Sequence, residues 1–293
     1  MNSAARRALS FGISVTPEAA ALADIRDKVR AAEDVGLELV GIQDHPYQRR
    51  FLDTFSLIAD LLARTSRLRF FPDVANLPLR DPPMLAKAAA SLDILSGGRF
   101  ELGLGAGTFW DAVAGMGGPR RTSREAADAL EEAIPIIRAV LDGERVIRGD
   151  GPYYPIPGYP SGPPTVHRVE LWIGAYRPRG MRLIGRLADG WVPSYGYLAP
   201  DAFGSAASIL DQAAIDAGRD PSAIRRLYNF GGRITDGEVG DGPLDGPVAR
   251  WAETLAGWAD ELGVDTFIFW PSTPGTTEIE RFAAVAAAVR SAH

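Results

Sequence analysis

Cysteine is absent from the 293-residue chain, which removes disulfides, thiolate metal sites and cysteine nucleophiles at once and leaves the redox compartment unread. Histidine is scarce: only His45, His167 and His293 occur. Three scattered imidazoles cannot supply the multi-histidine cluster of a barrel metallohydrolase, so no metal is expected. A basic surplus is missing too. The formal charge of -6 argues against binding a phosphate backbone, and no nucleic-acid partner is expected. No long apolar run is present either. Arg6-Arg7 before Ala8 to Val15 imitates a twin-arginine export signal, but the run is only about half a membrane helix long. It also lacks a small-residue cleavage site, so it reads as a strand. The expectation is a cytoplasmic chain with no membrane partner. What remains is ordinary globular material, 46% apolar and 23% charged, at a length that barrels of alternating strand and helix reach as one unit.

The apolar periodicity alternates along the chain. Leu9 to Val15 is strand-like, and a helix with Ile25, Val29 and Ala32 on one face follows and stops at Gly36. Leu37 to Ile42 is the next buried run, then a polar turn at Gln43-Asp44-His45-Pro46 and a helix stripe of Leu57, Ile58, Leu61 and Leu62. Leu68 to Ala75 is a third strand. Asp81-Pro82-Pro83 offers an N-cap with proline in the first turn, opening a helix through Leu85, Ala88, Leu92 and Leu95. Phe100 to Leu104 is the fourth strand, and Thr122 with Glu125 forms a capping-box pattern for a helix that Pro135 should kink.

Residues 144–168 interrupt the rhythm, with Gly149-Asp150-Gly151 expected to turn a hairpin between Val146-Ile147 and Tyr153-Tyr154. Further strands are read at Leu171 to Ile173, Gly190 to Pro193, Leu227 to Ile234 and Asp265 to Trp270. Helices are read at Met181 to Leu187, at Phe203 to Ala217, along Trp251, Leu255, Trp258 and Leu262, and after Thr277 with its capping partner Glu280. Eight near-continuous apolar strands alternating with helices imply a parallel sheet that closes. The fold expected is an α/β, (β/α)8 TIM barrel with loop and hairpin insertions, one domain over residues 1–293. An open Rossmann-type sheet is the alternative; its Gly-x-Gly-x-x-Gly fingerprint is missing, since Gly103, Gly105 and Gly107 have the wrong spacing.

In such barrels the working residues follow the strands. Asp44 and His45 follow strand two, a carboxylate beside an imidazole, able to hold a tautomer or exchange a proton near neutral pH. Asn76 follows strand three, an amide able to donate to and accept from a heterocycle. After strand four, Gly103 to Gly107 either lets a flat ring approach the backbone or serves tight barrel packing, and Thr108, Phe109, Trp110 and Asp111 come next. Gly174-Ala175-Tyr176-Arg177-Pro178-Arg179-Gly180 leads from strand five into a helix. Its free N–H groups and two arginines suit an anion, or form a solvated basic turn. Thr235 to Pro247, acidic and glycine-rich, is either a mobile lid or a tolerated surface loop.

Together these residues resemble the bacterial-luciferase-like superfamily over nearly the whole chain. The most specific stretch is Leu92 to Gly107, Leu-Asp-Ile-Leu-Ser-Gly-Gly-Arg-Phe-Glu-Leu-Gly-Leu-Gly-Ala-Gly, joined by Asp44-His45 and by Leu183 to Gly190. The resemblance implies an oxidoreductase acting on a small-molecule substrate, with FMN or the deazaflavin coenzyme F420 in the barrel mouth; the strand-five loop looks closer to the F420 branch. It further implies a non-proline cis peptide at Asp73-Val74 behind the ring. Asn76, Ala106, Gly107, Thr108 and Asp111 would approach the ring; Gly174, Ala175, Tyr176, Arg177, Pro178, Arg179, Gly180 and Met181 would approach the phosphate. His45, with Asp44, would handle the proton, and a homodimer is the implied assembly. Thr108 stands where the sugar-phosphate dehydrogenases of that branch carry a glutamate, which puts such a substrate in doubt. Other functions compatible with the sequence are an FMN-dependent monooxygenase, a flavin-binding protein without turnover, and a non-redox barrel acting on a phosphorylated metabolite.

Overall fold

The computed structural model describes residues 7–293; Arg6, half of the arginine pair noted above, lies outside them. The strands of the barrel are β1 (Ser10–Val15), β2 (Leu39–Ile42), β3 (Arg69–Pro72, resuming at Ala75–Asn76), β4 (Leu102–Gly105), β5 (Leu171–Gly174), β6 (Gly190–Trp191), β7 (Arg225–Phe230) and β8 (Thr266–Phe269). The helices are α1 (Leu22–Asp34), α2 (Thr54–Leu62), α3 (Pro82–Ser96), α4 (Trp110–Gly115), α5 (Ser123–Leu141), α6 (Pro178–Leu187), α7 (Pro200–Asp216), α8 (Val248–Leu262) and α9 (Thr277–Ala292). All neighbouring barrel strands are parallel, in the order β3-β2-β1-β8-β7-β6-β5-β4. The first half of β3 pairs with β2 and its second half with β4, Ala75 opposite Leu104, so one interrupted strand closes the ring. The structure is the expected TIM barrel.

Alternation along each strand divides the apolar side chains into two cores. Phe11, Ile13, Val40, Ile42, Phe70, Leu102, Leu104, Ile173, Tyr228, Phe267 and Phe269 face outward beneath the helices. Leu39, Phe71, Trp172, Val192, Leu227 and Ile268 fill the barrel itself. Between the halves of β3 the Asp73-Val74 peptide is cis, and the Val74 side chain packs onto that inner plug. Its room comes from missing side chains. A Cβ on Gly103 would lie 2.1 Å from the Pro72 carbonyl oxygen, one on Gly105 2.8 Å from Val74 Cγ2, and one on Gly174 3.2 Å from the same atom. Of the two readings of the β4 glycines, close packing therefore holds for Gly103 and Gly105. Gly107 is different: it stands at the rim with a φ of 92°.

Several local expectations are corrected. The hairpin pairs Val146–Gly149 with Ile156–Pro160, so its second strand starts after Tyr153-Tyr154. Those two residues instead donate their N–H groups to Glu132 of α5. Leu95 is 81% exposed, the buried stripe of α3 running through Leu85, Ala86, Ala89 and Leu92. Asp81 makes no side-chain cap on α3, and the cap of α9 is Thr276 rather than Thr277. The Thr122–Glu125 capping box is formed. β7 ends at Phe230; Ile234 belongs to a separate parallel pair, Arg233–Thr235 with Asp245–Pro247. That pair, with Arg281 donating to Ile234 O at 2.9 Å and bonded to Asp236, pins both ends of the segment Thr235 to Pro247, leaving an exposed tip.

Near the amino ends of the strands, on the side opposite the expected site, charges pair instead of reacting. His167 bridges Asp93 and Glu101, and Glu101 also takes Arg69 at 3.0 Å. Hydrogen bonding to Glu101 raises the His167 pKa. This belongs to the stability face of the barrel.

The packing argument predicts opposite outcomes for two glycine-to-alanine changes. Gly103→Ala should destabilise by about 1–3 kcal/mol through overpacking. Gly204→Ala, in α7 with nothing within 4 Å of the new Cβ, should stabilise by about 0.5–1 kcal/mol. Urea unfolding measures both; a Gly103→Ala protein as stable as the parent contradicts the account.

Candidate active site

The barrel mouth is assembled where β2 and β3 end. Asp44, 1% exposed, accepts the Asn76 backbone N–H at 2.8 Å and both arms of Arg80 at 2.7 Å. Arg80 also reaches Asp53 at 2.7 Å and lies over the Phe55 ring. A carboxylate out of water needs such partners. Both oxygens of Asp44 are thus engaged in tying the loop after β2 to the loop after β3. Asn76 is 6% exposed, and its side-chain oxygen has no hydrogen-bond partner among the described residues.

His45 sits on the turn that follows. Pro46 in the second position suits a β-turn, closed by Gln48 N–H to His45 O at 2.9 Å, and the turn returns Tyr47 to the imidazole. Its hydroxyl is 2.7 Å from His45 Nδ1. Phe109 from the loop after β4 completes an aromatic trio, its ring 5.7 Å from His45 and 5.9 Å from Tyr47. Burial pushes the His45 pKa down, with Asp44 pulling the other way, which favours the uncharged form of the ring. Burial, with Asp44 adding to it, pushes the Tyr47 phenol up to about 12. His45 Nε2 has no partner among the described residues.

Beneath the mouth lies a polar layer. Asp73 accepts from Ser14 of β1 at 3.2 Å and from the Asn229 amide of β7 at 3.0 Å. Burial raises its carboxyl to about 6 despite those two donors. Asn229 is 2% exposed, and its other amide atom, the oxygen, is unpartnered among the described residues. Burial, with Asp73 adding to it and Ser194 opposing it, raises the Tyr176 phenol. Its ring meets that of Tyr197, which is 78% exposed, at 5.6 Å.

The remaining expected residues divide. Ala106 and Gly107 line the rim after β4, where a Cβ on Gly107 would fall 2.4 Å from Pro78; Thr108 beside them is exposed. Asp111 points away into water and pairs with Arg120 at 2.5 Å. After β5, Gly174 and Ala175 are half-buried, Tyr176, Arg177, Pro178 and Arg179 exposed, and Met181 buried. The Arg179 guanidinium is spent on Asp128 and, at 3.6 Å, on Glu131 of α5, so it is not the free cation expected. Arg177 has no partner among the described residues. Pro178 is the first residue of α6, and the N–H groups of Arg179 and Gly180 in that first turn have no intrahelical acceptor. Ser14, Tyr47, Arg80 and Asn229 were missed; a polar residue inside an apolar strand run was the available signal for Ser14 and Asn229.

The profile of the luciferase-like monooxygenase family matches residues 8–236. A phthiodiolone/phenolphthiodiolone dimycocerosates ketoreductase of Mycobacterium sp. (strain JLS) is 33% identical over 184 residues, 59% of this chain. The match spans 46% of that relative, so the chain accounts for less than half of its length. Among solved structures, an F420-dependent secondary alcohol dehydrogenase in complex with an F420-acetone adduct superposes with a TM-score of 0.85 at 18% identity, covering 97% of this chain and 99% of the other. EDTA monooxygenase from Chelativorans sp. BNC1 gives 0.82 at 15%, over 96% and 93%. At these identities the structures share the fold.

The raised Asp73 carboxyl has a pH signature. Because its folded pKa lies above the unfolded value, its contribution to stability is complete below the unfolded pKa and is lost as pH rises through about 6. Asp73→Asn should therefore gain stability relative to the parent by roughly 1 kcal/mol between pH 5 and pH 8. Thermal unfolding at the two pH values measures it, and an unchanged difference means that Asp73 titrates normally.

Proposed function

The chain belongs to the luciferase-like monooxygenase family, and from that premise we propose that it moves hydride between coenzyme F420 and the carbonyl or alcohol carbon of a small organic substrate. The observation that carries the reading is His45, held through Nδ1 by Tyr47 with no partner on Nε2 among the described residues, at the same rim as the unpartnered amide oxygen of Asn76; burial lowers the His45 pKa. One group handles a proton; the other lacks the donor that a heterocycle N–H supplies. The ketoreductase relative and the strand-five loop favour hydride chemistry with F420 over oxygenation with FMN.

The residues present fit such a cofactor. Asn76, Ala106, Gly107 and Thr108 would hold the ring, with Val74 beneath it and Asp73 further down. Arg177 and the free N–H groups of Arg179 and Gly180 would meet the anionic tail at the start of α6, above Gly174, Ala175, Tyr176 and buried Met181. Pro178, lacking an N–H, shapes that turn. Bound there, the deazaflavin supplies or takes up hydride at C5. Asp44 positions His45 and Asn76 from below. His45 gives a proton at Nε2 to the substrate oxygen in reduction and recovers it in oxidation. Phe109, 52% exposed, and Tyr197, 78% exposed, present aromatic faces in the loops after β4 and β6, which suits a substrate with an apolar body.

Anaerobic titration with F420 and with FMN tests this. F420 should bind at least roughly tenfold tighter, and the loaded protein should interconvert a ketone and an alcohol without consuming oxygen. FMN-supported oxygen consumption makes it a monooxygenase, tight binding without turnover a carrier, and no binding of either a non-redox barrel; each overturns the proposal. At saturating cofactor, His45→Ala should lower kcat by roughly 10²–10⁴-fold; unchanged turnover refutes the role of His45.

A further inference from the structure

The imidazole assigned to proton transfer has its Nδ1 turned to the Tyr47 hydroxyl, and its uncharged form, favoured by burial, raises a problem of proton supply. A neutral ring that gives up its Nε2 proton becomes imidazolate unless Nδ1 is refilled in the same event. The structure holds one group on Nδ1, the Tyr47 hydroxyl at 2.7 Å, and that hydroxyl has no other hydrogen-bond partner among the described residues.

We propose that Tyr47 works through His45 as its positioning residue. Its hydroxyl donates to Nδ1, fixing the tautomer with the proton on Nε2, and passes its own proton to Nδ1 when Nε2 protonates the substrate oxygen. This rests on the function proposed above.

The direction of the bond follows from relative acidity. A phenol is a far stronger acid than the N–H of a neutral imidazole, and the unprotonated ring nitrogen is the better acceptor, so Tyr47 donates and Nδ1 accepts. The local chain is built for this: Pro46 sets the turn, and Phe109 packs on both rings, at 5.7 Å and 5.9 Å. Asp44 is the charged group that acts on both rings among the described residues. Asp44 precedes His45, and its charge is met by Arg80, which also holds Asp53; Phe109 offers only an apolar edge. The lowered His45 pKa and the raised Tyr47 pKa favour the required forms of both groups. In reduction the reduced deazaflavin, when bound, would supply the hydride, two electrons with one proton, that the carbonyl carbon takes up. As the C=O π bond becomes an alkoxide, the alkoxide takes the Nε2 proton and Nδ1 takes the phenol proton; water then reprotonates the phenolate, and proton exchange with solvent at the ring returns the proton to Nε2 and leaves Nδ1 bare for the next turnover. His45 carries no charge before or after.

Tyr47→Phe removes the hydroxyl and keeps the ring contacts. In the unliganded protein, ¹⁵N NMR of the imidazoles at pH 8, with His45 identified by His45→Ala, should show Nδ1 bare and Nε2 protonated in the parent. In Tyr47→Phe the tautomers should mix. In turnover, kcat at pH 8 should fall roughly ten- to hundredfold with KM little changed, and the loss should shrink at acid pH, where an imidazolium carries its own proton. A protonated Nδ1 in the parent, or Tyr47→Phe with parental kcat at pH 8, overturns the relay. Absence of F420-dependent turnover in the parent instead overturns the function on which the relay rests, while the NMR result still decides the hydrogen bond.

Discussion

One buried carboxylate organises the mouth. Asp44 accepts a backbone N–H from the end of β3 and both arms of Arg80, and it does so with almost no exposure to water. Removing one partner of such a buried pair typically costs about 3–5 kcal/mol, because the remaining charge is stranded. That tie fixes the distance between the two segments that matter here. His45 is the next residue along one, and Asn76 is the residue held on the other. Both Asp44 oxygens are thus occupied, and the proposed proton transfer is assigned to the imidazole beside the clamp.

Below the clamp, packing and polarity are layered. The inner apolar plug supports Val74, and the glycines of β4 and β5 leave the space that its side chain occupies. The Ser14, Asp73 and Asn229 layer lies above that plug, where a carboxyl raised to about 6 sits close to the mouth. A raised carboxyl and a lowered imidazole within one barrel mouth are the kind of divergent environments that proton-handling sites use.

The sequence made the barrel legible because its strands are buried on both faces and its helices carry clear stripes. Every barrel strand falls within a few residues of its expected run. Boundaries were poorer where side-chain partners decide them: Glu132 of α5 captures Tyr153 and Tyr154 and delays the second hairpin strand, and Ile234 leaves β7 to pair with the chain near Gly246. At the site, His45 and Asn76 could be located from strand ends alone. Arg80 could not, since nothing in its own neighbourhood announces a partner 36 residues earlier in the chain. Arg179 looked like a free cation because the acidic face of α5 that neutralises it is far away in sequence. Tyr47 was hidden for the opposite reason: it is only two residues from His45, and the turn that makes them meet depends on its closure.

The central claim is that a planar cofactor and its anionic tail rest where the loops after β3, β4 and β5 converge. Amide hydrogen exchange on the full chain, with and without F420, tests it most directly. The account predicts slowed exchange at Asn76, at Ala106 to Thr108 and at Arg179 to Gly180, with little change at the amino ends of the strands. Protection at the opposite end of the barrel, or none at these three loops under saturating F420, would contradict it.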